Sequence, residues 1–384
     1  MIITQILLYL IIGYAAYMLV LVASGLFYRT QATQLTGSLP TIKVFLPAYR
    51  PEPVFNQVMQ QLKVAKKDYP VEVFILFQHA DFGYIELADQ LGFDYEVRSF
   101  DHHGGNSYQH VLRYLSEQHL NDQPDYVMVL DKDNLIAPDF FDTLQEIGLA
   151  GWHVIQGVRR PLETSNSLQV FDALSERLND LMLRAGKCFW GGTLELSGSA
   201  ALIETTIFRQ CIAALDPKAP GFDKNFMVNL LTHEGSLKTR FSEELVVFEE
   251  KTSQKANYDS QRLRWFGEQY YNAFFKARQL WSGLAKGHFR CLDYWISLSR
   301  PPRVVLFAVS SLLAAIDLWD GEPGILSIAF VMNYLTMLMV AFPYLDQIRP
   351  TELVRSSWQV LRSNIVASVF SLRKKNLGTF IHTR

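Results

Sequence analysis

The chain opens on an uncharged run from Ile2 to Tyr28, dominated by Leu, Ile, Val, Ala and Tyr. It is longer than the ~20 residues that span a bilayer. No Lys or Arg precedes it and it exceeds a signal-peptide core, so residues 1–30 are expected to form an uncleaved membrane anchor. The period then changes. Short β-branched or aromatic runs at Ile42–Leu46, Val73–Phe77, Tyr95–Arg98 and Val127–Leu130 alternate with amphipathic stretches such as Pro53–Ala65 and Ser107–Glu117. Strands alternating with helices predict an α/β body over residues 41–280, built on a mostly parallel, Rossmann-like sheet with helices on both faces. Ligands of such sheets bind beyond the carboxyl ends of the strands. That rule selects Pro47–Glu52, Gln78–Asp81 and Asp131–Asn134 as rim candidates.

Beyond the body, Trp281–Ser299 mixes aromatic and aliphatic residues with Lys286, His288 and Arg290, which predicts an interfacial helix within residues 281–302. Val304–Trp319 and Ile325–Leu345 are two further apolar runs, split by Asp320-Gly321-Glu322-Pro323-Gly324. They read as a transmembrane hairpin over 303–345, or as a buried soluble hairpin. Arg300 and Arg303 precede the pair, and Arg349, Arg355 and Arg362 follow it. The positive-inside rule then places the body and the tail (346–384) in the cytosol, on an inner (plasma) membrane, with the acidic linker and N-terminus outside. Leu353–Leu372 resembles a second interfacial helix.

Composition narrows the class. Hydrophobic residues make up 49% and mean hydropathy is +0.05, between soluble proteins and polytopic transporters, as suits a soluble body with a few spans. A net charge of −2 gives no basic field for nucleic acid. Cys188, Cys211 and Cys291 are scattered and form no CxxC pair, so neither a disulfide framework nor a zinc site is indicated, and a reducing compartment fits. No GxxxxGK[ST], HExxH or GxSxG occurs, which removes the commonest phosphate-loop, zinc-protease and serine-hydrolase readings.

Three segments carry candidate chemistry. Asp131-Lys132-Asp133-Asn134 follows directly on a strand. Its two carboxylates at i and i+2 could hold a hard divalent cation and leave room for diphosphate oxygens, or could be a solvated loop start. Asp223, where a helix begins, reads as an N-cap or as a general base taking a proton from a sugar hydroxyl. Gln261, Arg264 and Trp265, spaced i, i+3, i+4 within a helical stretch Tyr258–Lys276, share one face. They could hold a diphosphate and stack on a sugar, the Arg through its planar fork.

Together these segments resemble the inverting family 2 glycosyltransferases, in particular the membrane branch of cellulose and hyaluronan synthases. Lys43–Glu52 is similar to the family's first strand and Pro-Ala-Tyr turn, Asp131–Asn134 to its DxD, and Glu195–Ala201 to the small-residue segment before the acceptor site. Asp223 falls at its catalytic acid pair, Gln261–Trp265 matches its QxxRW motif, and Gly378–Arg384 resembles its closing element. The resemblance implies a GT-A fold, a nucleotide sugar (most often UDP-linked) and Mg2+ or Mn2+. Asp131 would touch the nucleoside and Asp133 the metal; the pair is the metal-site candidate. Tyr49, Glu52, Gln78, Gln261 and Arg264 would line the donor, Ser197, Gly198 and Trp265 the acceptor, and Asp223 would be the base in an inverting transfer to a β-linkage.

The chain departs from the family at three places: Gln78 where an Asp usually contacts the base, His103-Gly104-Gly105 where a Lys is common, and Phe222 in place of the Glu before the base. The first two bear on donor identity. The third removes an acid that would raise the base's pKa by like-charge repulsion. Extension of a polysaccharide is the leading expectation, transfer of one sugar to a lipid its rival, and an inactive nucleotide-sugar-binding regulator a third, opposed by the intact acids. Three spans are few for a polymer pore, so the first reading implies a homo-oligomer or an export partner.

Overall fold

The computed structural model describes residues 2–30, 39–121, 124–216, 219–233, 236–319, 321, 324–342 and 350–373. The closing Gly378–Arg384, Arg349 and most of the acidic linker lie outside the described residues, as does the end of the last apolar run after Phe342.

Helix α1 (Ile2–Phe27) leads into the body. There β1 (Ile42–Tyr49), α2 (Val54–Asp68), β2 (Val71–Gln78), α3 (Phe82–Gln90), β3 (Asp94–Val97), α4 (Ser107–Gln118) and β4 (Tyr126–Val129) follow in strict alternation. β1 is buried along almost its whole length, as a parallel strand covered on both faces should be. β5 (Leu135–Ile136), α5 (Phe140–Ile147), β6 (Val154–Pro161), α6 (Ser167–Asn179), α7 (Gly186–Phe189), β7 (Ala201–Glu204), α8 (Thr205–Ala213), α9 (Phe222–Thr232) and β8 (Thr239–Glu249) complete the sheet and its cover. The order is β3-β2-β1-β4-β7-β6-β8-β5. β3, β2, β1 and β4 are parallel, as are β6 and β8; β7 runs against both of its neighbours and β5 against β8.

The sheet is therefore mixed. The four strands expected from the alternating pattern all form. β5 and β7, of two and four residues, carry too little periodicity to be legible and exist because a partner strand is there. Despite the reversal, the carboxyl ends of β1, β2, β4, β6 and β8 meet at one edge.

After β8 the chain is helical: α10 (Lys255–Phe275), α11 (Ala277–Ala285), α12 (Phe289–Ser299), α13 (Arg303–Trp319), α14 (Ile325–Ala341) and α15 (Pro350–Ser371). The interfacial segment expected as one helix is two, because Lys286 ends α11 and Gly287 adopts φ +90°, a left-handed turn that favours glycine. Pro301-Pro302 ends α12 and turns the chain by 71° into α13. Among the described residues one helix, α1 over Gln5–Phe27, is long and apolar enough alone to cross a membrane. α12 and α13 pass together as a bent pair, and α14 is a shorter apolar helix.

α14 packs against both α1 and α13. Buried Asn333 on α14 donates to buried Ser310 on α13 at 3.1 Å. Leu7, Leu10, Leu312, Ile316, Val331 and Leu338 face outward.

The inner half of α1 is bound into the body. A π-helical turn, Asp180–Ala185, joins α6 to α7 and lies across α1. A Cβ on Gly25 would stand 2.2 Å from the Leu181 carbonyl oxygen, and one on Gly186 would stand 2.2 Å from that of Leu21. These reciprocal glycines let two helical backbones touch. Tyr17 adds a 2.7 Å hydrogen bond to Asp293 on α12. Gly25→Val and Gly186→Val are each expected to cost about 1–3 kcal/mol through overpacking, and to lower the thermal unfolding midpoint in detergent. Gly13→Val, where a Cβ meets nothing within 4 Å, should leave the midpoint unchanged. Equal midpoints for all three would refute the close crossing.

Candidate active site

β4 runs through Leu130 into Asp131-Lys132-Asp133, and small residues lock this turn from behind. The Asp131 N–H donates to the Ser199 hydroxyl at 3.4 Å, Ser199 donates to Asn134 at 2.5 Å, and Asn134 donates to Asp133 at 3.3 Å. Lys132 points away and pins the neighbouring rim, donating to the Arg50 carbonyl at 2.6 Å and standing 3.5 Å from Glu52. The two acids are thus freed from the lysine between them. The Tyr108 hydroxyl reaches Asp131 at 3.3 Å. Burial, with Asp133 adding repulsion, pushes the Asp131 carboxyl up to about 7 against the pull of Arg159. Burial and Glu249 raise Asp133 as well. Two half-buried carboxylates that repel each other suit a divalent cation. Among the described residues no group of three or more His, Cys, Asp or Glu side chains is placed to hold one. The pair alone suits a cation that takes its other ligands from diphosphate and water.

Asp223 lies in the first turn of α9, not at its cap, which is Gly221 at φ +77°; the expected N-cap role does not apply. Its carboxylate stands 3.3 Å from Lys224, which is itself 3.6 Å from Glu268 on α10. Glu268 packs directly on Gly221, where a Cβ would come within 3.0 Å of it. Burial raises the Glu268 carboxyl against the pull of Lys224 and Arg264. An acid therefore stands beside Asp223 although the chain has Phe222 before it. Gly198, at φ +90°, presents its backbone to Asp223, 3.9 Å from where a Cβ would sit. Ser197 is held by its N–H to Gln156 at 3.0 Å.

On α10, Arg264 stands 3.8 Å from Glu268, and the Gln261 side-chain oxygen is buried without a hydrogen-bond partner. The remaining residue of the motif, Arg262, has a structural role: it pairs with buried Asp172 and lies 4.5 Å over the Trp265 ring. Asp131, Asp133, Ser197, Gly198, Asp223, Gln261, Arg264 and Trp265 all line one cavity of 1090 Å³.

Tyr49, Glu52 and Gln78 are not in that wall. Tyr49 packs edge-on to His79, Glu52 is exposed, and Gln78 is buried, accepting from the Phe100 N–H at 3.2 Å. Arg50 and His79, at adjacent strand ends, hold positive φ values of 46° and 51°, uncommon for such residues and typical of functional rims. Arg159, Glu249 and Glu268 belong to the site and escaped the sequence reading. Arg159 and Glu249 close β6 and β8, and the only available signal was a charged residue at a strand's carboxyl end.

Comparison with known proteins bears on this site. Solved structures to which the chain is similar include the following three. One is a mannosyltransferase from Pyrobaculum calidifontis in complex with GDP-Man and Mn2+ (13% identity, TM-score 0.48, covering 96% of this chain and 99% of that one). Another is glucosyl-3-phosphoglycerate synthase from Mycobacterium tuberculosis with Mn2+, UDP-Glc and phosphoglyceric acid (17%, TM-score 0.40, 61% and 83%). The third is mannosyl-3-phosphoglycerate synthase from Rubrobacter xylanophilus (13%, TM-score 0.39, 60% and 76%). No curated protein matches the sequence. The model of the "glycosyltransferase like family 2" matches residues 40–268, from the start of β1 through the acid turn and Asp223 to Glu268. The chain belongs to that family.

Proposed function

We propose that this protein is a membrane-attached, metal-dependent glycosyltransferase of GT-A type that inverts the anomeric centre of a nucleotide-sugar donor. The observation that carries this reading is the single cavity lined at once by Asp131, Asp133, Asp223 and the Gln261–Trp265 helix face. Asp133, with Asp131, would hold Mg2+ or Mn2+, which when bound supplies Lewis-acid neutralisation of the donor diphosphate. Arg264 offers its guanidinium to the same diphosphate. Asp223 accepts the proton of the acceptor hydroxyl as its oxygen attacks the anomeric carbon, and the nucleoside diphosphate leaves on the opposite face, giving a β-linkage. Lys224, 3.3 Å away, orients the Asp223 carboxylate.

The donor is taken to be UDP-linked, after the family's commonest usage. The proposed topology is three spans (α1, α13 and α14) with the body in the cytosol. α13 and α14, at 17 residues each, are roughly 25 Å long, near the short limit for a span. Of the two acceptors expected from sequence, a growing saccharide and a lipid, the second is favoured by the same cavity, which continues past the catalytic acids to residues of α13, α14 and α15.

Asp223→Asn should lower kcat by about 10²–10⁴-fold, the usual worth of a general base, with donor KM nearly unchanged; retained turnover would remove Asp223 from this role. Asp133→Ala should abolish the Mn2+-dependent part of UDP-sugar binding in titration calorimetry, and a Mn2+-dependent gain in affinity equal to that of the native protein would sink the metal site. Sizing the product from native membranes separates the acceptors: a ladder of lengths means polymerisation, a single extractable glycolipid means one transfer.

A further inference from the structure

The cavity has two halves of different character. Its polar half holds the catalytic acids; its apolar half is lined by Phe307 of α13, Met337 and Val340 of α14, and Trp358 and Leu361 of α15. Arg300-Pro301-Pro302-Arg303, the bend between α12 and α13, stands in the wall of the same cavity.

Most cations in that wall are matched by an acid. Arg159 pairs with Glu176 and Glu249, Arg184 with Glu176 and Asp180, Lys224 with Asp223, Lys251 with Glu249, Arg262 with Asp172 and Arg264 with Glu268. Arg300 and Arg303 make no such ion pair among the described residues. Arg303 donates to the neutral Asn179 side chain at 2.7 Å, and its other terminal nitrogen is buried without a hydrogen-bond partner. Arg300 donates only to the Ser297 carbonyl at 2.5 Å. Glu195 and Glu176 act on them only from beyond ion-pair distance, and two like charges held close together, one with an unmet buried donor, cost free energy unless an anion meets them. An arginine fork is suited to phosphate oxygens.

We propose that the acceptor is an anionic lipid bearing a free hydroxyl, its phosphate-type group held by Arg303 and Arg300 and its tail lodged between α13, α14 and α15. This rests on the glycosyl-transfer reading above. The tail accounts for an apolar channel that a sugar and a diphosphate would not fill, and the cavity's continuity brings the headgroup hydroxyl to Asp223. In the reaction the lipid oxygen bonds to the anomeric carbon, its proton passes to Asp223, and the carbon–oxygen bond to the diphosphate breaks with its electron pair on the leaving group.

The test uses the full chain in phosphatidylcholine nanodiscs, with phosphatidylglycerol carrying a diazirine in one acyl chain as the probe and the matching phosphatidylcholine as control. On irradiation, the anionic probe should label peptides containing Phe307, Val340 and Leu361 about tenfold more than the control, the order of one charge-assisted hydrogen bond. Arg303→Gln should bring labelling down to the control level and Arg303→Lys should restore most of it. Ala308→Phe, which keeps both charges and fills the apolar half, should also lose the label and decides the matter if Arg303→Gln does not fold. Equal labelling by both probes, or labelling confined to the outward-facing Leu312 and Ile316, would overturn the proposal. The assay needs no donor, whereas the catalytic reading stands or falls on nucleotide binding and Asp223, so the two fail separately.

Discussion

The site depends on one buried charge cluster. Arg159, at the end of β6, holds Glu176 of α6 at 3.1 Å and Glu249 at the end of β8 at 3.2 Å. Arg184, from the π turn, holds Glu176 from the other side at 3.0 Å and also Asp180. All of these groups are buried or nearly so. Burial alone would raise the Glu176 carboxyl, yet the two guanidiniums hold it well below the usual carboxylate range. Asp180 goes the other way, up to about 6, because burial and Glu176 outweigh Arg184. Desolvating such groups is expensive, and removing one partner from a buried pair typically costs about 3–5 kcal/mol. The cluster links the ends of β6 and β8 to α6 at the rim.

That link sets the field at the acid turn. Arg159 lies close enough to lower Asp131, while Glu249 raises both Asp131 and Asp133. The turn is thus short of positive charge. A second buried charge cluster is built on a lysine. Lys187 contacts Glu195, Asp293 and Ser297, and Asp293 also receives Tyr17 of α1. The segment around Glu195, the bend helix α12 and the N-terminal helix are in this way tied to one ammonium. The bend helix and the N-terminal helix are thereby joined to the body through charge pairs and hydrogen bonds.

The same linkage explains why the cavity is continuous. α10 presents Gln261, Arg264 and Trp265 toward the acids, while α15 and α12 pack on α10. Pro301-Pro302 then swings α13 by 71°, and residues of α13, α14 and α15 line the same cavity as the acids.

Much of this was legible in the chain. β1 to β4 and their helices, the anchor-like α1, and the shared face of Gln261, Arg264 and Trp265 follow from periodicity, because a helix or strand repeats its environment every few residues. The DxD turn at a strand's carboxyl end followed from the same reading. Other features depended on partners far away in sequence, and no local pattern encodes a distant partner. β5 and β7 are too short to show a period, Gly287 splits a helix that composition alone runs together, and Gly25 and Gly186 matter only because two backbones cross there. Gln78, placed near the donor by the family resemblance, turns inward and accepts from the Phe100 N–H. Glu268 stands beside Asp223 from 45 residues away along the chain, where sequence neighbours offered only Phe222. Local order therefore determined which chemistry the chain carries. Tertiary packing decided which of those groups share a cavity, because burial and charge pairing act through space rather than along the backbone.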